Sequence, residues 1–240
     1  MKKQQGFSLI ELLLALGIFS LIALTLYSTF ATGMGISKRS EKVDRVYREA
    51  RWAIEKMARE LENMASYNFR NSYPEREDFI GESNQLTFLH PTDKGLKVIR
   101  FLTQNLEFGS VHKTVVGEHS DRNVSVVTDF KEQATGTVAL VREEKDFLDS
   151  LSGETNVPKK TSVLSAKVAK EGLKFSYPYL GSSEDEEKII WKDVWEHNYI
   201  PSAIRLEVTF VNPSSQEGLL PVERTVFIPT GKIGREASHE

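Results

Sequence analysis

An acid in apolar surroundings is the first residue in this chain that invites chemistry. Glu11 is the single formal charge in a run that opens at Phe7-Ser8-Leu9-Ile10 and continues through Leu12, Leu16, Phe19 and Leu24 to Phe30. An ionised carboxylate near hydrocarbon is expensive, so it needs a partner or a task. The plain reading is a side chain that reaches back to the headgroups from the helix start. The sharper one is an ion pair with a cation, on the same helix or on a neighbouring one that it thereby aligns.

Other residues tempt less. His90, His112, His119, His197 and His239 are scattered, with no H-E-x-x-H or comparable ligand spacing, so no metal role is expected of them, and His90 before Pro91 reads as a turn residue. The acidic run Glu184-Asp185-Glu186-Glu187 offers the hard oxygens that calcium takes, but lacks the D-x-D-x-D-G loop. A solvated loop over Gly181–Lys188 is the expected reading. Trp191 and Trp195 stand four apart, either an exposed binding surface or the closed edge of a core, and the core is expected. No G-x-S-x-G elbow frames a nucleophile, and no glycine-rich phosphate loop is present. The chain has no cysteine, which removes thiol catalysis and cysteine-ligated metal. No catalytic residue, metal site or cofactor is expected.

The elements that position these residues follow from periodicity. Residues 7–30 rise about 36 Å as a helix, enough for a bilayer core of about 30 Å. Lys2 and Lys3 precede the run and favour a cytoplasmic leader. Thr32-Gly33-Met34-Gly35 is a soft zone that would loosen the helix. Beyond it Val43, Tyr47, Ala50, Ile54, Met57, Leu61 and Met64 recur at spacings of four and three, an apolar stripe. Charged residues, Glu60 among them, fill the remaining surface, and Arg51–Glu55 and Glu55–Arg59 are i,i+4 pairs. The stripe predicts an amphipathic helix over 31–67 that packs on a sheet rather than in a coiled coil.

Strand signals dominate the rest. Gln85–Leu89 and Leu96–Leu102 flank the turn-rich His90–Gly95 and predict a hairpin. Asn123–Phe130, Thr137–Arg142, Val163–Ala169 and Leu173–Tyr177 are further strands, the last ending before Pro178. Asp146–Lys160 reads as polar turn, and Ala203–Val211 with Val222–Ile228 as a closing hairpin. The fold class is α+β: a transmembrane and amphipathic helix stalk followed by a β-rich globular domain. The expected divisions are a leader at 1–6, a span at 7–30, the amphipathic helix at 31–67, the β domain at 68–230 and a flexible tail at 231–240. At 240 residues and net charge −3, with no basic stripe interleaved with aromatics, nucleic acid is not an expected partner.

The leader, Gly6-Phe7, Glu11 and the apolar run together resemble the type IV prepilin signal. No A-x-A-like site follows the run, as a secretory signal peptide would require. The resemblance implies that a prepilin peptidase cleaves after Gly6 and methylates the amino group of Phe7. Glu11 then becomes the fifth residue of the mature chain, and its carboxylate pairs with the new α-amino group to recruit a subunit into a filament. The C-terminal half, with Glu171–Tyr177, Trp191, Trp195, Ile200–Val208, Arg224 and Val226–Pro229, is similar to the J-type minor pseudopilins of type II secretion. Ile200 stands where leucine is usual, and the acidic loop before Trp191 is a departure. That likeness implies a non-enzymatic subunit in the inner membrane with a periplasmic C-terminal domain. Its implied partners are I-type and K-type minor pseudopilins, the major pseudopilin and the inner-membrane assembly platform. Minor type IV and competence pilins share the N-terminal signal, and a single-span anchored enzyme or binding domain is the rival of another class.

Overall fold

The computed structural model describes residues 8–65, 79–105, 136–151, 159–183, 186–211 and 218–235. One helix, α1 (Leu9–Glu62), covers the apolar run and the amphipathic stripe without a break. The soft zone does not interrupt it: Gly33 and Gly35 are helical, so their propensity cost is absorbed by the turns on either side. Residues up to Arg45 form one compact unit and Val46 onward another.

In the second unit, α1 lies on an antiparallel sheet, as the stripe predicts. Val46, Ala50, Ala53, Ile54, Met57, Ala58 and Leu61 are buried in one cluster with Leu86, Phe88, Ile99, Phe101, Leu140, Phe175 and Leu206 from the sheet. The stripe needs one correction. Tyr47 is 52% exposed, and Val46 takes the buried place at its upper end. Glu60, expected among the solvated charges, is only 4% exposed.

The strands are β1 (Phe79–Gly81), β2 (Gln85–Thr92), β3 (Gly95–Gln104), β4 (Thr137–Asp146), β5 (Lys160–Ser183), β6 (Glu186–Lys192), β7 (Ala203–Val211), β8 (Leu219–Phe227) and β9 (Gly234–Arg235). Among the described residues the sheet runs β1-β2-β3-β4-β5-β7-β8, with β6 and β9 both added to β5. The β2–β3 hairpin is as expected, but its strands run through His90-Pro91-Thr92, leaving only Asp93 and Lys94 in the turn. The β7–β8 pair is the expected closing hairpin. Asn123–Phe130 lies outside the described residues.

Three expectations change. The two strands around residue 170 are one, β5, which passes through Pro178. Pro178 falls between the last pair with β7, Ser176↔Arg205, and the first with β9, Tyr179↔Gly234. On that flank no described strand needs its missing donor, so the proline is tolerated mid-strand. The bend that had read as a gap is a bulge: Ala169–Gly172 oppose the single Thr209, with Glu171 at φ 63°. Second, the polar stretch after Asp146 contains a short helix, α2 (Phe147–Leu151), whose Phe147 is buried with Leu89 and Ala65. Third, Gly181–Lys188 is not an open loop but the end of a hairpin, with Ser183 paired to Glu186.

The chain from 231 to 235 is also no loose tail. Lys232 N–H donates to Ile200 C=O at 2.8 Å, and β9 pairs in parallel with Tyr179 and Leu180. Arg235 N–H donates to His197 Nε2 at 3.0 Å. Gly234 allows the approach, because a Cβ there would lie 2.7 Å from the Tyr179 ring.

Candidate processing and assembly site

The N-terminal end of α1 is organised by Ser8. Its carbonyl accepts from Glu11 N–H at 3.1 Å and Leu12 N–H at 3.2 Å, and its hydroxyl accepts from Ile10 N–H at 3.4 Å. Ser8 is therefore the cap, and Glu11 lies in the first turn. Ser8-Leu9-Ile10-Glu11 has the S-x-x-E spacing of a capping box, a signal that the reading from apolar periodicity passed over. A carboxylate in the first turn also complements the partial positive charge of the helix N-terminus. Gly6 and Phe7 lie outside the described residues.

Glu11 is exposed, and among the described residues its side chain has no hydrogen-bond or ion-pair partner. One turn further on stand Leu14 and Ala15, both apolar. The next charged side chain along α1 is Lys38, about 40 Å up the helix. A cation for Glu11 must therefore come from residues before Ser8 or from another molecule. Between the two charges most side chains are apolar and exposed, including Leu14 at 64%, Phe19 at 69% and Phe30 at 68%. Four hydroxyls are satisfied within the helix: Ser20 donates to Leu16 C=O at 2.8 Å, Thr25 to Ile22 C=O at 2.8 Å, Thr29 to Thr25 C=O at 2.9 Å and Thr32 to Ser28 C=O at 2.9 Å. Such a surface suits hydrocarbon, where no water is at hand to satisfy polar groups. By length and composition α1 is able to cross a membrane once.

The second unit contains an ionic cluster that sequence reasoning missed. Arg142 on β4 grips Glu60 on α1 with Nε at 3.0 and 2.8 Å from its two oxygens, and donates from Nη1 to Glu144 at 2.6 Å. Lys56 adds to Glu60 at 2.9 Å and Lys97 to Glu144 at 2.6 Å. Burial pushes the Glu144 carboxyl up, but hydrogen bonds from Lys97 and Arg142 outweigh it and bring the group down to about 2. His90 lies beside this cluster, and burial lowers its imidazole below the usual value. A second clamp joins Glu49 on α1 to Ser165 at 2.6 Å and Lys167 at 2.8 Å on β5. Both clamps fix the rotation of α1 on the sheet. The pattern was invisible because Glu60 and Arg142 are 82 positions apart, and only folding brings them together.

The tryptophans part company. Trp195 is 6% exposed, donates from Nε1 to Tyr199 C=O at 2.5 Å and packs against Tyr177, Tyr179, His197 and Tyr199. Trp191 is half-buried, with the Arg205 guanidinium 4.1 Å above its ring. His197 stacks on Tyr199 at 4.8 Å and holds the C-terminal strand through Arg235. Side chains of the acidic run Glu184–Glu187, and His112, His119 and His239, lie outside the described residues.

Residues 1–27 match the family model of the prokaryotic N-terminal methylation motif. No curated protein and no solved structure matches the chain. The N-terminus is thus a methylation motif of the type IV prepilin kind, joined to an apolar helix and an antiparallel sheet domain.

Proposed function

We propose that this chain is a structural subunit of a pilin-like filament, cleaved after Gly6 and N-methylated at Phe7 by a prepilin peptidase. The observation that carries the reading is Glu11, an acid with no described partner in the first turn of a membrane-length helix that bears the methylation motif. A free α-amino group has a pKa near 8 and is cationic at neutral pH. Placed by a neighbouring subunit, or by the chain's own Phe7, it would neutralise Glu11 and remove the cost of a lone charge in the membrane. The subunit is held in the inner membrane by α1, with its sheet domain in the periplasm, and does no catalysis.

The finer assignment is a J-type minor pseudopilin at the tip of a type II secretion pseudopilus, where it helps to start assembly of the filament. It rests on the likeness of Glu171–Tyr177, the two tryptophans and Ile200–Val208 to that group, and on the sheet domain in which these segments meet. Its partners would be the I-type and K-type minor pseudopilins, the major pseudopilin and the assembly platform. The test is co-purification of the full chain with candidate I-type and K-type subunits. A stoichiometric complex through size exclusion supports the tip assignment. Binding only to minor pilus subunits moves the chain to a type IV or competence pilus, the alternative that shares its N-terminal motif. Glu11→Ala should abolish filament incorporation without loss of folded protein, whereas a simple membrane anchor would ignore it.

A further inference from the structure

The apolar run is followed at once by an excess of basic side chains. Residues 38–51 contain six, Lys38, Arg39, Lys42, Arg45, Arg48 and Arg51, against two, Lys2 and Lys3, in the leader. Basic residues near a span are counted with little regard to nearby acids, and they favour the cytoplasmic side. By that count the far end of α1 outweighs the near end, so the orientation proposed above rests on the methylation motif and runs against the charge count, which leaves the basic residues to be accounted for.

Their placement gives one. Lys38, Lys42 and Arg45 stand at spacings of four and three, on one face of α1. All three are exposed, and among the described residues none has an ion-pair partner. Of the nearby acids, Asp44 falls on another face, whereas Glu41, three residues from Lys38 and four from Arg45, borders the stripe and leaves it a net charge of about +2. A bilayer with its interfacial regions is about 40–45 Å thick. Glu11 to Lys38 spans about 40 Å, so with Glu11 at one interface the basic stripe begins at the other.

We propose that Lys38, Lys42 and Arg45 form a binding stripe for the anionic headgroups of phospholipids, in the leaflet at the C-terminal end of the apolar run. The chemistry is that of lysine and arginine with a phosphate diester: point-charge attraction from the ammonium groups, and forked donation from the guanidinium. The stripe holds the helix at a fixed depth while Glu11 remains at the opposite interface. Extraction of the subunit into a filament must then break these contacts. The proposal rests on the reading of α1 as a membrane span.

The experiment uses the full chain in bilayers of phosphatidylcholine containing spin-labelled phosphatidylglycerol or spin-labelled phosphatidylcholine, with electron paramagnetic resonance reporting the lipid immobilised on the protein. Wild type should favour phosphatidylglycerol by about threefold to tenfold, a partly screened sum of three surface cations offset by Glu41. Lys38→Gln/Lys42→Gln/Arg45→Gln should bring the ratio to near one. Arg48→Gln/Arg51→Gln, which neutralises two arginines further along α1 and outside the stripe, should leave it high. Equal immobilisation of both lipids by wild type, or selectivity kept by the triple variant, overturns the proposal. So does selectivity lost only in the control variant. Inorganic phosphate that removes the selectivity more than sodium chloride of equal ionic strength would assign the stripe to free phosphate instead. If neither lipid is immobilised, the membrane reading itself has failed, a distinct result.

Discussion

Replacing Arg142 by methionine should weaken the second unit by about 2–3 kcal/mol at pH 7. Removing one partner of a buried ion pair costs about 3–5 kcal/mol when the other charge is left bare. Here the side chain of Glu60 is 6% and that of Glu144 15% exposed, so both carboxylates feel the loss. Each keeps one cation, Lys56 at 2.9 Å for Glu60 and Lys97 at 2.6 Å for Glu144, which places the cost below the full figure. With a urea slope of about 2 kcal/mol/M, the midpoint should fall by about 1 M. The assay is urea unfolding of the full chain in detergent, followed by tryptophan fluorescence, since Trp195 is buried and Trp52 packs against the same core. The pH dependence carries its own sign. A carboxyl lowered to about 2 stabilises the fold above its unfolded value near 4.5, and that contribution is lost as pH falls from 4.5 toward 2. Methionine at 142 removes one of the two hydrogen bonds that depress Glu144, so the gap between wild type and variant should close over the same window. A midpoint shift under about 0.3 M at pH 7, or a gap unchanged down to pH 3, would refute the reasoning.

Further outcomes follow from single sites. Met57→Ala, at a fully buried position of α1, should cost about 2–5 kcal/mol in the same assay, whereas Tyr47→Ala, at an exposed one, should cost under about 1. Neighbouring residues in the β5 bulge should respond differently. Gly172→Ala would set a Cβ 2.8 Å from Thr209 O and 2.9 Å from Ala169 O and should lose about 1–3 kcal/mol, while Glu171→Gly relieves a left-handed backbone and should change stability by less than about 1. Gly234→Ala should press on the Tyr179 ring and free the C-terminal strand, read as faster hydrogen exchange at Lys232 and Arg235 with the β2–β3 hairpin unaffected.

Local signals were legible where local physics decides. A run of apolar residues with one acid marks α1, and two strand-like runs flanking the turn-rich His90–Gly95 mark the β2–β3 hairpin. The 3.6-residue stripe placed α1 on a sheet, missing by one position at its upper end, where Val46 rather than Tyr47 turns inward. What was not legible depends on distant partners. Pro178 reads as a strand end because nothing near it in sequence tells that β5 changes partner from β7 to β9 there. Glu60 reads as solvated because its buried partner, Arg142, arrives from β4. Phe147 reads as part of a polar turn because its hydrophobic contacts, Leu89 and Ala65, lie in other elements. At the candidate site, Glu11 was evident from charge alone, but its place in the first turn beside the Ser8 cap needed the structure.

The central claim is processing at Gly6 to free a cation for Glu11. Its most direct test is mass spectrometry of the N-terminal peptide of full-length protein isolated from cells that express a prepilin peptidase. The account predicts a chain that begins at N-methylated Phe7 and keeps Glu11 intact. A chain that still begins at Met1, in the presence of an active peptidase that cleaves a control prepilin, would contradict it.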